Sequence, residues 1–221
     1  FGDFIKNVVG NDITEIPGAD ALQQPRERIK DIMEGYAGLY GVKHTELLVN
    51  GSSAGLMASI LGSVSRGGKL LMGRNSHRAV YGALRLGGID PVYIMPEIDD
   101  ETGLQLGLDP NKIEAALIKD PDIKAVLVTS PNYYGVLSDI ERIASIVHLH
   151  GRILIVDQAH GAHLKFFDYL RSEDGLPHRA AENCGADIVV DSTHKTLLSF
   201  TGSAILNICT ERPDVPRIAE L

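Results

Sequence analysis

The sequence predicts an α/β fold of three layers, α/β/α, built on a mainly parallel sheet of about seven strands. Two observations carry that expectation. Short apolar runs recur along the chain and most are nearly continuous rather than alternating, the pattern of strands covered on both faces. Between them lie segments with helix start and stop signals, so strand and helix alternate.

The strand candidates are residues 46–50, 69–73, 91–95, 124–129, 152–157, 186–191 and 203–208. Pro25 suits a first helical turn, and a helix from there runs through Ile29, Ile32 and Met33 towards Gly41. A further helix opens at about Ala54, and Ser76 is placed to cap one carrying Ala79, Val80, Ala83 and Leu84, with His77 in its first turn. Asp109-Pro110 opens another. Ser138 with Glu141 has the form of a capping box ahead of Ile143, Ile146 and Val147, and Gly151 closes that helix. In such a sheet, ligands gather at the carboxyl ends of the strands.

With 221 residues, 44% of them apolar and 23% charged, one domain with one substantial core is expected. A net charge of −8 and a pI near 5.4 argue against a nucleic-acid footprint, and no basic run suggests an anionic membrane surface. Small molecules are the expected ligands. Cys184 and Cys209 are too few for a disulfide framework, no run approaches the roughly 20 apolar residues of a spanning helix, and a reducing cytoplasm fits. The sequence opens on Phe1 without an initiator Met and stops at Leu221, as a fragment of a longer product is expected to do.

The chemistry sits at strand ends. Asn50-Gly51-Ser52-Ser53-Ala54-Gly55 brings small residues and hydroxyls to a helix start, where N–H groups and the helix dipole favour a phosphate; alone it reads equally as a glycine turn with a serine cap. His77 could lay its ring against an aromatic ligand or be a polar first-turn residue. Thr129-Ser130-Pro131-Asn132-Tyr133-Tyr134-Gly135 is a turn rich in hydrogen-bonding groups. Asp157 follows Ile153, Leu154, Ile155 and Val156, and a carboxylate backed by such a wall is costly unless a cation lies opposite. A protonated pyridine nitrogen is such a cation. The rival is a metal held by Asp157, His160 and His163, which gives Lys195 no role. Lys195 follows the sixth run beside Ser192 and His194, where burial and neighbouring cations would tune its amine. An amine able to bond an aldehyde, paired with a carboxylate for a ring nitrogen, is the requirement of pyridoxal 5'-phosphate chemistry.

In order along the chain, these motifs resemble the major domain of the Orn/Lys/Arg decarboxylase family, among the fold-type I pyridoxal phosphate enzymes with an aspartate aminotransferase-like large domain. The segments are Ile13-Thr14-Glu15 with Gly18-Ala19-Asp20, Asn50 to Ser53, Arg74 to Arg78, Pro91-Val92-Tyr93, Ser130 to Gly135, Val156 to His163, and Ser192 to Leu197. The resemblance implies that residues 1–221 form a cofactor-binding major domain without the family's amino-terminal arm and carboxyl-terminal domain. It implies Lys195 as the covalent attachment point, Asp157 on the pyridine nitrogen and His77 on the ring face. Ser52, Ser53, Ala54, Ser192 and His194 would surround the phosphate, and His160 would stand near the substrate carboxylate. The activity implied is decarboxylation of arginine, lysine or ornithine to the amine, with aminotransferase or lyase chemistry, or a non-catalytic relative, as alternatives. A homodimer or higher homo-oligomer is implied as well. Three positions depart from the family pattern: Gln158 replaces an acidic residue, Asn207 stands where a histidine is frequent, and the phosphate loop reads Ser-Ser-Ala-Gly.

Overall fold

The computed structural model describes Lys6, Gly10 and residues 16–173 and 178–221. The Ile13-Thr14-Glu15 segment lies outside the described residues. The strands are β1 (His44–Leu48), β2 (Lys69–Gly73), β3 (Asp90–Ile94), β4 (Ile123–Thr129), β5 (Ile153–Asp157), β6 (Ile188–Asp191) and β7 (Ala204–Ile208). They form one sheet in the order β1-β7-β6-β5-β4-β2-β3. Neighbours from β6 to β3 are parallel; β7 runs antiparallel to both β6 and β1. The mainly parallel sheet of the sequence reading is observed.

Alternate residues of each central strand enter opposite cores, which is why the strands read as unbroken apolar runs. Leu71, Val126, Val128, Leu154, Val156 and Val189 face one side, packed by α4 (Pro110–Lys119) and α5 (Ile140–Leu149). Leu70, Met72, Ala125, Leu127, Ile155 and Val190 face the other, packed by α2 (Gly51–Ser63) and α3 (Arg78–Gly87). Gly55 brings α2 onto the sheet, because a Cβ there would lie 2.5 Å from Leu48 Cδ1 and 3.0 Å from Val190 Cγ1.

Several helix starts differ from the sequence reading. α1 (Arg28–Tyr40) begins three residues after Pro25, and its terminus is held from outside: Asp20 accepts the N–H groups of Arg26, Glu27 and Ile29. Burial raises the Asp20 carboxyl, but these N–H bonds outweigh it and hold the group well below the usual carboxylate range. The expected capping box does not form. Asp139 caps α5 through Arg142 N–H, while Ser138 Oγ accepts Leu108 N–H. Likewise Ser76 donates to the Gly73 carbonyl, and His77 is the residue that caps α3. The remaining elements are α6 (Leu164–Glu173), a 3₁₀ turn (Ala181–Asn183), α7 (Thr193–Thr196) and α8 (Val215–Ala219). Among the described residues no helix is long and apolar enough to cross a membrane.

Candidate active site

The carboxyl ends of β2, β4, β5 and β6 open into one cavity of about 350 Å³. Gly51, Ser52, Ser53, His77, Asp157, His160, His194 and Lys195 all line it, so eight of the singled-out residues from separate strand ends meet there. That volume falls within the roughly 300–1,000 Å³ of small-molecule sites.

Asp157 forms its floor. The residue is 3% exposed and accepts one hydrogen bond, from Ala159 N–H at 3.2 Å. Burial pushes its carboxyl above the usual range; the Ala159 bond and the charges of His77 and Lys195 oppose that only in part. Beside it in register on β4 stands Thr129, whose buried Oγ1 has no hydrogen-bond partner among the described residues. A buried carboxyl and an unused hydroxyl in one cavity are groups built for a polar ligand.

Lys195 lies on α7 and is exposed, so it reaches the site from the rim and not from the buried position expected of it. His160 lies in the same cavity, edge-on to Tyr133 at 6.2 Å between ring centroids. Loss of solvent, then the charges of Lys195 and His77, hold its imidazole below the usual value, which favours the uncharged ring. His77 Nδ1 accepts Ala79 N–H at 3.2 Å, which fixes its ring at the mouth of α3 and leaves Nε2 to carry the proton of the neutral form.

The opposite end of the cavity suits an anion. α2 begins at Gly51, whose φ of 73° favours glycine, and its N-cap Asn50 makes no side-chain bond to the first turn. The leading N–H groups are thereby left for another acceptor, with the helix dipole behind them. His194 Nδ1 lies 3.0 Å from the Ser203 carbonyl, which can only accept, so that nitrogen carries a hydrogen. Ser192 is fully buried beneath the cavity and touches it only through His194, 3.1 Å away. Ala54 turns to a different cavity, with Leu48, Ala58 and Leu206.

His163 is not part of this group: its ring packs edge-on against Phe167 and its buried Nδ1 is unpartnered. Among the described residues no set of three His, Cys, Asp or Glu side chains is arranged to hold a metal ion. Asn75, Leu56, Pro131 and Ala159 also line the cavity, and none of the four carries an ionisable side chain that would mark it in the sequence. The Ser130–Pro131 bond in the turn carrying Tyr133 is cis.

This sheet order is the fold of the large domain of fold-type I pyridoxal phosphate enzymes. The lysine decarboxylase LdcF of Francisella novicida shares it with a TM-score of 0.81 and 21% identity, covering 100% of this chain and 31% of that one. The constitutive lysine decarboxylase of E. coli does so with a TM-score of 0.78 and 20% identity, over 99% of this chain and 31% of that one. The sequence itself matches the family described as Orn/Lys/Arg decarboxylase, major domain, over residues 1–220, and the chain belongs to that family. An arginine decarboxylase of Bacillus cereus is 34% identical over 209 residues, which are 94% of this chain and 44% of the relative. An arginine decarboxylase of Bacillus subtilis is 35% identical over 94% of this chain and 41% of its own length. The chain thus spans less than half the length of these curated relatives.

Proposed function

We propose that residues 1–221 are the pyridoxal phosphate-binding major domain of a decarboxylase that converts a basic amino acid, arginine, lysine or ornithine, to its amine. The observation that carries the reading is the buried Asp157 carboxyl, with no cation paired to it among the described residues, in the same cavity as the Lys195 amine. Family membership and arginine decarboxylase relatives support the substrate class.

The residues present fit the cofactor. Asp157 would hold the ring nitrogen and, with that cation opposite, would keep its charge despite burial. His77, held by its cap bond, offers a ring face. The N–H groups at Gly51 to Ser53, with the Ser52 and Ser53 hydroxyls, offer donors to a phosphate, and the His194 ring lines the same cavity with its Nδ1 hydrogen turned to the Ser203 carbonyl. Bound there, pyridoxal phosphate supplies an electron sink for the pair released when the substrate loses its α-carboxylate as carbon dioxide. Lys195 provides the amine that anchors the aldehyde, and its exposure leaves Nζ free to swing aside and to hold a proton. His160, its imidazole held below the usual value by loss of solvent and by the charges of Lys195 and His77, stands edge-on to Tyr133 where the substrate carboxylate would lie. We read the working form as a homo-oligomer.

The test has two parts. Incubation with pyridoxal phosphate and borohydride is expected to fix a chromophore on the wild-type chain and not on Lys195→Ala. Carbon dioxide release from arginine, lysine and ornithine by the full-length protein then assigns the reaction. A keto acid formed without carbon dioxide overturns the decarboxylase reading.

A further inference from the structure

Beneath the cavity floor, four polar side chains that the proposed chemistry does not use form a closed group. Glu182, on the 3₁₀ turn, and Asp191, the last residue of β6, are held side by side on the same two amide nitrogens. Two amides join them. Gln158 Nε2 donates to Glu182 Oε2 and to Asp191 Oδ1, both at 3.0 Å. Asn207 Nδ2 donates to Glu182 Oε1 at 3.1 Å and to Asp191 Oδ2 at 3.2 Å. The Gln158 amide can point only this way, because Ala181 N–H, a donor with no alternative, meets its Oε1 at 2.8 Å. Thr45 Oγ1 meets Asn207 Oδ1 at 2.8 Å. Gln158, Asp191, Asn207 and Thr45 are all fully buried.

Each carboxyl oxygen has one amide hydrogen, and neither carboxyl has an ion-pair partner among the described residues. Other titratable groups facing the pair are Asp157 on β5, Tyr40 on α1, Cys184 after the 3₁₀ turn and Cys209 beyond β7. Lys165 on α6 is the cation near Cys209, and its amine is bonded to Asn183 Oδ1. Asp191 is fully out of water and Glu182 half-buried, and two ionised carboxylates held on the same two amide nitrogens repel unless one of them carries a hydrogen.

From this geometry we infer that Glu182 and Asp191 share a single proton, and that the pair acts as positioning residues which limit the negative charge under Asp157. The role towards Asp157 rests on the cofactor reading above; the shared proton does not. Burial, then the Glu182 charge, push the Asp191 carboxyl well above its usual value, and the Asp157 charge adds to that. The influence is reciprocal. A second negative charge on the pair would disfavour the ionised Asp157 that a ring nitrogen needs. The pair also ties down the strand ends that carry the site: Gln158 follows Asp157, and Asp191 precedes Ser192, His194 and Lys195. Two of the three departures from the family pattern, Gln158 and Asn207, converge here, and both are neutral donors.

Infrared difference spectroscopy of the full chain tests the proton. At a pH well above the ordinary carboxylate range, the wild type is expected to show the carbonyl stretch of a buried carboxylic acid that both Asp191→Asn and Glu182→Gln lose. Each variant keeps the shape and the single negative charge, and any contribution from Asp157 cancels in the difference. A band that survives in either variant, or no difference band, overturns the shared proton. Gln158→Glu places a third carboxyl in the group. It is expected to raise the pH midpoint of the absorbance change of the cofactor-loaded protein by about one unit or more, as a close like charge does. An unmoved midpoint overturns the role towards Asp157. Wild-type protein that takes up no pyridoxal phosphate sinks the cofactor reading and that role together, and the infrared result still decides the proton.

Discussion

Asp157→Asn separates what this carboxyl does to the fold from what it does for a ligand. Asp157 is buried, keeps one hydrogen bond from Ala159 N–H, and is held above the usual carboxylate range chiefly by burial. In cofactor-free protein the native state therefore binds that proton more tightly than the unfolded chain. Stability falls as pH rises from the unfolded value, about 3.9, through the raised native value, and this contribution is constant beyond it. Asparagine keeps the shape, accepts the same N–H and carries no charge. An incompletely compensated buried polar group costs about 1–3 kcal/mol. For a chain of 221 residues a change of that size moves the melting temperature about 2–4 °C per kcal/mol, hence upward by roughly 2–12 °C at neutral pH. The ligand side changes in the opposite sense. Losing a charged hydrogen bond worth about 1.5–3 kcal/mol weakens pyridoxal phosphate uptake by roughly tenfold to a hundredfold. Scanning calorimetry of cofactor-free protein across pH reads the first effect, and an absorbance titration reads the second. A variant that melts below the wild type at neutral pH, or binds the cofactor equally well, refutes the reasoning.

Gly55→Ala sets a methyl group 2.5 Å from Leu48 Cδ1 at the α2–sheet contact, and is expected to destabilise by about 1–3 kcal/mol despite alanine's helix propensity. Urea denaturation measures it, and an unchanged midpoint counts against that packing. Ile155→Ala empties a fully buried position on β5 and is expected to lower stability by about 2–5 kcal/mol in the same assay. His77→Ala removes the α3 cap, worth about 1 kcal/mol, and also a ring face. The stability loss should be small while cofactor affinity falls; equal retention of affinity removes His77 from the site.

The strands were legible because both faces of the sheet are covered: Ile155 enters one core while Leu154 and Val156 enter the other, so β5 is apolar throughout. β1 was placed two residues late because His44 and Thr45 are polar, and only the pairing with β7, with Asn207 opposite Thr45, makes them strand. Caps failed where two competent residues adjoin. At Ser138-Asp139 and at Ser76-His77 the serine is drawn away by a contact outside the helix, to Leu108 N–H in one case and the Gly73 carbonyl in the other.

Asp191 ends an apolar strand just as Asp157 does, so the burial argument that singled out Asp157 applied to it equally. What the sequence lacked was the partner: Glu182 sits in an irregular stretch with no periodicity to place it, and Gln158 and Asn207 declare nothing until β5 and β7 flank β6. The fold thus resolves two similar costs differently. Asp191 is closed off among amides and a second carboxyl, with no room for a ligand, whereas Asp157 faces a cavity that also holds an amine. A cofactor can relieve the burial cost only at the second of these, so the gain in thermal stability at a fixed pyridoxal phosphate concentration should shrink in Asp157→Asn and persist in full in Asp191→Asn.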